Sequence, residues 1–308
     1  MKKSMMTLVL MLVAMVMSAQ TSGVKISAKY KKGDNMLYRM TAVTNVMGKS
    51  INVVSESRFV VTEASSKGYV IENTLEKMES DAAPDDLVGR MMNATTECLK
   101  GVKTIVVTDA DGKVTGIKNI EEINKKTGEY LDKVFDELFV QLPAEATQIL
   151  TKDKLKATVM EQMTETNLIK SMIIQPSPLA LNGLTISTGS TDTGVDVSGF
   201  KLKNTYTLVT PDATKVKVVG KSEMTKDDMK KMIIDQVKKL MPEQAAMIEQ
   251  NIDMVMQNDA FKMDKEQTAD YEFGKNGWIK TITYSSSSSN MGQSSDMNGK
   301  MELVESNR

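Results

Sequence analysis

The residues of this chain best equipped for chemistry are its methionines. Met160-x-x-Met163 and Met229-x-x-Met232 each set two thioethers three residues apart, on one face of a helix. Soft thioethers select Cu(I), so a Met-based copper carrier is one reading. The other is that Met, flexible and polarizable, fills irregular apolar surfaces. The second is preferred, because both pairs coincide with apolar helical stripes and no His or Cys joins them.

Other motifs fail on spacing. Gly48-Lys49-Ser50 and Gly220-Lys221-Ser222 invite a phosphate-loop reading, but Val43 and Lys215 stand where the first Gly must be. Both triplets read as turns between strands. Asp109-Ala110-Asp111-Gly112 hints at a calcium loop, yet the required Gly falls at Val114 in one register and the required Glu at Lys118 in the other. A hairpin turn accounts for these residues. Ser198-Gly199-Phe200-Lys201 matches Ser-x-x-Lys, but it leaves a Gly-rich connection for a strand instead of lying on one helical face. Acid pairs such as Glu121-Glu122 and Asp227-Asp228 sit in first turns of helices, where the dipole favours them. A hydrolase built on carboxylates alone would need two of them converging in one cleft.

Composition removes whole reaction classes. Among 308 residues there is no His and one Cys, Cys98, so His-based triads, His zinc sites, internal disulfides and multi-cysteine clusters are excluded. Lys+Arg 39 against Asp+Glu 40 leaves a formal charge of -1, which gives no electrostatic reason to bind nucleic acid. Hydrophobic residues at 41% and charged residues at 26% read as globular. The chain is expected to be no enzyme, with no catalytic residue, no metal and no cofactor.

The elements that must position any site follow from the patterning. Lys2 and Lys3 precede an apolar run, Met5 to Met17, that ends in Ser18-Ala19-Gln20. This is the form of a secretory signal peptide, so residues 1–20 are set apart and the protein is expected to be exported, periplasmic or extracellular. No Cys follows the run to carry a lipid anchor, and no later stretch approaches the roughly 20 apolar residues of a membrane span. Residues 21–174 read as strands then helices. Val24 to Lys31, Met36 to Val46, Ile51 to Glu63 and Tyr69 to Met78 alternate with period two between Gly turns. Pro84 opens a short helix through Leu87, Met91 and Thr95, and Lys103 to Thr108 and Lys113 to Ile117 form a hairpin about Asp111-Gly112. Asn119 with Glu122 then begins a helix whose stripe includes Leu131, Phe135 and Leu142 before Pro143, and Thr151 caps another.

Residues 175–200, rich in Gly, Ser, Thr and Pro, read as a linker or long irregular connection. Residues 201–308 repeat the order. A hairpin turns about Pro211-Asp212, and helices follow from Thr225 and Asp228 with Met229, Met232 and Ile233 on one face. Pro242 breaks them, and strands Phe261 to Phe273, Trp278 to Tyr284 and Met297 to Glu305 close the chain. Tyr38 to Ser50 loosely echoes Tyr206 to Ser222, which reads as two pseudo-repeated halves.

Several segments together resemble a known family. Lys31-Lys32-Gly33-Asp34 before Tyr38-Arg39-Met40-Thr41, then Phe59-Val60-Val61-Thr62, then Tyr271 to Lys280 through Gly274-Lys275-Asn276-Gly277-Trp278, resemble an uncharacterised family of exported proteins and lipoproteins from Bacteroidota. That family's lipoprotein Cys is missing here. The strand–helix order is also similar, at the level of fold, to half-barrel outer-membrane lipoprotein carriers, in which a curved sheet is closed by helices over an apolar cavity.

The expected fold is therefore α+β: a curved antiparallel sheet, half-barrel-like, with amphipathic helices on one face. The expected function is non-enzymatic binding of a lipophilic small molecule or an envelope protein, with Leu131, Phe135, Met229, Met232 and Ile233 as the apolar lining. The alternative is a purely structural or interaction protein whose helices complete a filled core.

Overall fold

The computed structural model describes residues 23–46, 48–83, 89, 96, 100–139, 151–174, 176–195, 201–240, 242–256, 263–290 and 293–307. The signal-like segment, Pro84, Leu87, Met91, Thr95, Cys98 and Ser198 lie outside the described residues.

Alternating β-branched and polar residues give long strands. Asn35–Val46 (β2), Lys49–Ser65 (β3) and Gly68–Ser80 (β4) form a meander through tight turns, with Gly48 at φ +74°. Lys103–Thr108 (β5) and Val114–Ile117 (β6) complete this side through the turn at Gly112, φ +86°, a conformation that Gly adopts without steric cost. On the other side, Thr191–Val195 (β8), Lys201–Leu208 (β9), Lys215–Ser222 (β10), Met263–Phe273 (β11), Ile279–Asn290 (β12) and Gln293–Ser306 (β13) follow. All are antiparallel in one sheet of 11 strands, ordered β6-β5-β4-β3-β2-β13-β12-β11-β10-β9-β8. The last strand pairs with β2, and Asn307 Nδ2 donates to Gly33 O at 2.7 Å. The fold is α+β, as the patterning predicts, and the sheet is open, with β6 and β8 at its edges.

One strand is shorter than its patterning predicts. Only Val24–Lys25 (β1) pairs, with Thr185–Ile186 (β7). Residues 26–31 instead run over the sheet face, with Ile26, Ala28 and Tyr30 buried. Conversely β12 continues through Ser285 to Ser289, because β11 and β13 supply backbone partners on both sides. Gly220-Lys221-Ser222 also lies inside β10, so it is strand and not a turn.

The helices are Ile120–Phe139 (α1), Lys152–Gln162 (α2), Glu165–Ile174 (α3), Lys226–Leu240 (α4) and Pro242–Val255 (α5). Thr151 caps α2 by accepting from Lys154 N at 3.3 Å. Thr225 Oγ1 accepts from Asp228 N while Asp228 Oδ2 accepts from Thr225 N, a reciprocal box opening α4. Asn119 keeps the expected link to Glu122, its Nδ2 donating to Glu122 Oε2 at 3.4 Å, and has further partners. Its Oδ1 accepts from Ile105 N and its Nδ2 donates to Lys103 O, so it ties the start of α1 to β5. Pro242 opens α5, where its missing N–H costs no helical hydrogen bond.

Three apolar clusters hold these layers. The first stacks Tyr30 on Trp278, with ring centroids 4.1 Å apart, beside Tyr38, Phe59 and Val61. Trp278 is fully buried, and its indole N–H donates to Asp34 Oδ2 at 3.0 Å. The motifs at 31–34 and 274–278, far apart in sequence, thus meet in one structural knot. The second cluster joins Ile26, Leu181 and Ile186 to Tyr206, Val216, Tyr271 and Ile282. The third packs Leu202 of β9 against Met229, Ile252 and Met256.

Candidate functional site

Strand register decides which side chains share a face. Along β11, Tyr271, Ala269, Gln267 and Lys265 alternate to one side, opposite Ile282, Tyr284, Ser286 and Ser288 of β12. Across β10 the same rows hold Val216, Val218 and Gly220, and across β9 Leu208, Tyr206 and Asn204. Asp192 of β8 stands opposite Asn204. The face therefore grades along the strands from apolar and aromatic to amide and hydroxyl.

Over this face lies a cavity of about 500 Å³, with Met40 and Met297 on its far wall. Its roof is Ile173 of α3 and the segment holding Pro176, Leu179, Leu181, Asn182 and Leu184. The volume falls within the range of small-molecule sites, roughly 300–1,000 Å³. A polar hollow of about 410 Å³, lined by Lys221, Asp264, Glu266 and Ser289 among others, adjoins it and shares Lys265 and Ser288.

The roof is built from the stretch whose composition reads as a connection. Gly183 N donates to Ile26 O at 2.7 Å and Ile26 N donates to Leu184 O at 2.9 Å, tying it to the N-terminal segment. Leu181 holds φ +70°, a strained conformation for a branched side chain, and its side chain is buried against the second cluster. Asn182, 5% exposed, donates from Nδ2 to Tyr30 Oη at 2.8 Å. No hydrogen-bond partner meets its Oδ1 among the described residues.

Two glycines make room in the floor. A Cβ at Gly299 would lie 2.5 Å from the Tyr284 ring, so that ring rests where a side chain would otherwise be. A Cβ at Gly220 would lie 2.7 Å from Asn204 Oδ1 and 2.9 Å from Gln267 Cγ. Asp192 organises this end. Tyr206 Oη donates to its Oδ2 at 2.8 Å and Asn204 Nδ2 to its Oδ1 at 2.9 Å. Burial first, then the bond to Asp192, pushes the Tyr206 hydroxyl well above the usual tyrosine range, so it remains a protonated donor.

The five residues predicted as lining lie in the helical layer. Leu131 and Phe135 are buried on α1, and Met229 is buried with Met232 and Ile233 packed around Leu202. None of the five lines the cavity. The cavity's polar residues carry little sequence signal. Gln267 and the serines sit where both faces of their strands are polar, and Asn204 interrupts the apolar row Leu202, Tyr206 and Leu208, so periodicity alone does not mark them. Asp109 and Asp111 form the expected turn. Asp109 Oδ1 accepts from Asp111 N and Lys113 N, and Asp111 pairs with Lys25 at 2.6 Å. Among the described residues no group of three acidic, His or Cys side chains could hold a metal ion, and no helix is long and apolar enough to cross a membrane.

No family model and no curated protein matches the chain. Among solved structures it is similar to lipovitellin, in a study of lipid–protein interactions, at a TM-score of 0.38 and 7% identity over 90% of this chain. The chain spans 26% of that protein's length. Likeness at this level carries no functional argument.

Proposed function

We propose that this chain is a non-enzymatic binding protein of the cell envelope, exported by the segment 1–20, that holds an amphiphile on the face of a half-barrel-like sheet. The carrying observation is the cavity itself, apolar under Leu181, Val218, Ala269 and Tyr271 and polar toward Asn204, Gln267 and Ser286. A dissolved apolar chain gains from leaving water in proportion to the area buried, while a head group meets hydroxyls and amides at the other end. Within the cavity one carboxylate, Asp192, stands among the described lining residues, and it is held by Tyr206 and Asn204, while Asp264, Glu266 and Asp296 line the adjoining hollow. The thioethers of Met229 and Met256 lie buried in the third cluster, with Met232 packed against it, which supports packing over copper carriage.

The helices favour the structural reading for their own layer: Leu131, Phe135 and Met229 complete a core. The two roles divide between layers of one molecule.

Gly299→Ala tests the binding role. Its methyl group would start 2.5 Å from the Tyr284 ring, which lines the cavity, and 2.8 Å from Thr41 O, so the ring must shift. Native mass spectrometry of the wild-type chain with added monoacylglycerol is expected to show one bound molecule, and the variant to lose it while keeping its circular dichroism. A wild-type chain that takes up neither lipid nor apolar dye overturns the proposal.

A further inference from the structure

The polar end of the cavity shows a one-sided demand for hydrogen bonds. Asp192 is a fixed acceptor. Because Asn204 Nδ2 is held on Asp192 at 2.9 Å, the amide orientation is set and its Oδ1 must point away, toward the notch left by Gly220. That carbonyl oxygen and Asn182 Oδ1 are both buried and meet no donor among the described residues. Buried acceptors left without donors are costly, and native structures place partners there. The donors already present do not serve. Tyr206 Oη is committed to Asp192. Lys265 already has a polar partner, and Lys113 lies exposed at the rim. The end of the Gln267 side chain, with Nε2 3.1 Å from the notch position, covers Asn204. A flexible side chain is readily displaced, so a head group can reach that carbonyl.

We infer, resting on the amphiphile reading above, that the ligand carries a neutral, hydroxyl-bearing head group whose O–H donates to Asn204 Oδ1, with Asn182 Oδ1 in the roof a second buried acceptor. A carboxylate or phosphate head brings acceptors and no donor for Asn204 Oδ1. A plain ester brings no donor. Discrimination by a site built to bond a hydroxyl is strong, because the analogue leaves buried groups unpaired.

Calorimetric titration of the mature chain with monolauroylglycerol, laurate and methyl laurate separates the possibilities. Monolauroylglycerol is expected to bind about tenfold tighter than either competitor, the effect of one or two buried hydrogen bonds. Asn204→Leu, which keeps an apolar floor, is expected to bring the three within about threefold of one another. If that variant folds poorly, Gly220→Ala reports on the same contact by crowding Asn204 Oδ1. Laurate or methyl laurate binding as tightly as the glycerol ester overturns the head-group assignment while leaving an amphiphile carrier. A preference unchanged in both variants overturns it as well. Binding of none of the three fells the cavity reading and this inference with it.

Discussion

The two ends of this sheet solve the same problem in opposite ways. Around β2 to β6 the covered face is filled by rings: Tyr30, Tyr38, Phe59 and Trp278 pack on one another with centroids 4.1–6.5 Å apart. Around β8 to β13, beyond the second cluster, the corresponding rows carry Gly220, Gly299, Ala269 and a run of serines, and that part of the face stays hollow. Backbone pairing continues through both regions, so the sheet itself does not distinguish them. The side-chain volume on one face does. A filled region stabilises by burial, and a hollow one gives up some of that stabilisation for space that a ligand can occupy.

The sharpest contrast is removal of the filler. Trp278→Ala is expected to cost about 3–5 kcal/mol in urea unfolding, from the lost ring and from Asp34, 2% exposed, left without its indole donor. A loss under about 1 kcal/mol would show that the aromatic knot is not the stabilising half. The reverse experiment adds volume to each half. Ala28→Leu in the filled region is expected to cost about 1–3 kcal/mol, since Ala28 Cβ already lies 2.4 Å from where a Gly112 side chain would start. Ala269→Leu in the cavity floor is expected to change stability by about 0.5 kcal/mol or less while abolishing uptake of an apolar dye. Equal costs at the two positions would erase the distinction.

The filled half was the more legible in sequence, and physics explains why. Long alternating runs such as Leu37 to Val46 and the Gly turns between them are local signals, and most strands fall where those signals place them. The capping pair Thr225 and Asp228 is equally local. What escaped was set by partners distant in the chain. Val24 to Lys31 alternates well, yet only Val24 and Lys25 find a partner strand. Residues 176–184 have the composition of a connection, yet Leu179 and Ala180 are almost fully buried as a roof. Ser285 to Ser289 shows no apolar alternation at all and is strand only because both neighbours are. The apolar helical stripe, the strongest sequence signal for a lining, belongs to Leu131, Phe135 and Met229, which pack in the helical layer.

Alkaline titration probes both halves at once. Burial raises the hydroxyls of Tyr30 and Tyr38 in the filled half and Tyr206 and Tyr271 in the hollow half above the usual tyrosine value. A raised value in the folded chain means that this stability is intact below about pH 10, where unfolded tyrosine titrates, and is lost progressively above it. The tyrosinate signal of these four is therefore expected to appear together with unfolding. A bound amphiphile should move the midpoint upward by stabilising the folded chain, and should delay Tyr206 more than Tyr30. Tyr206 or Tyr271 ionising well before unfolding, shown by loss of the early signal in Tyr206→Phe or Tyr271→Phe, would show that the hollow half admits solvent freely.

The smallest effect lies at low pH and touches the layers above the sheet instead of the sheet itself. The backbone N–H and hydroxyl of Thr225 hold the Asp228 carboxyl below its ordinary range, and Lys25 with Ser27 does the same for Asp111. A depressed value places this stabilisation above about pH 4, where unfolded aspartate titrates, and removes it as pH falls through the lower folded value. Asp228 is exposed and Asp111 half-exposed, so each contribution is modest and screened by salt. Asp111 ties down the segment that runs beside the roof, whereas Asp228 starts a helix remote from the cavity. Asp111→Asn is therefore expected to weaken amphiphile binding by a few-fold with little change in melting temperature, and Asp228→Asn to lower the melting temperature slightly with binding intact. Binding that falls equally in both variants would mean that the helical layer, and not the roof alone, governs the hollow half.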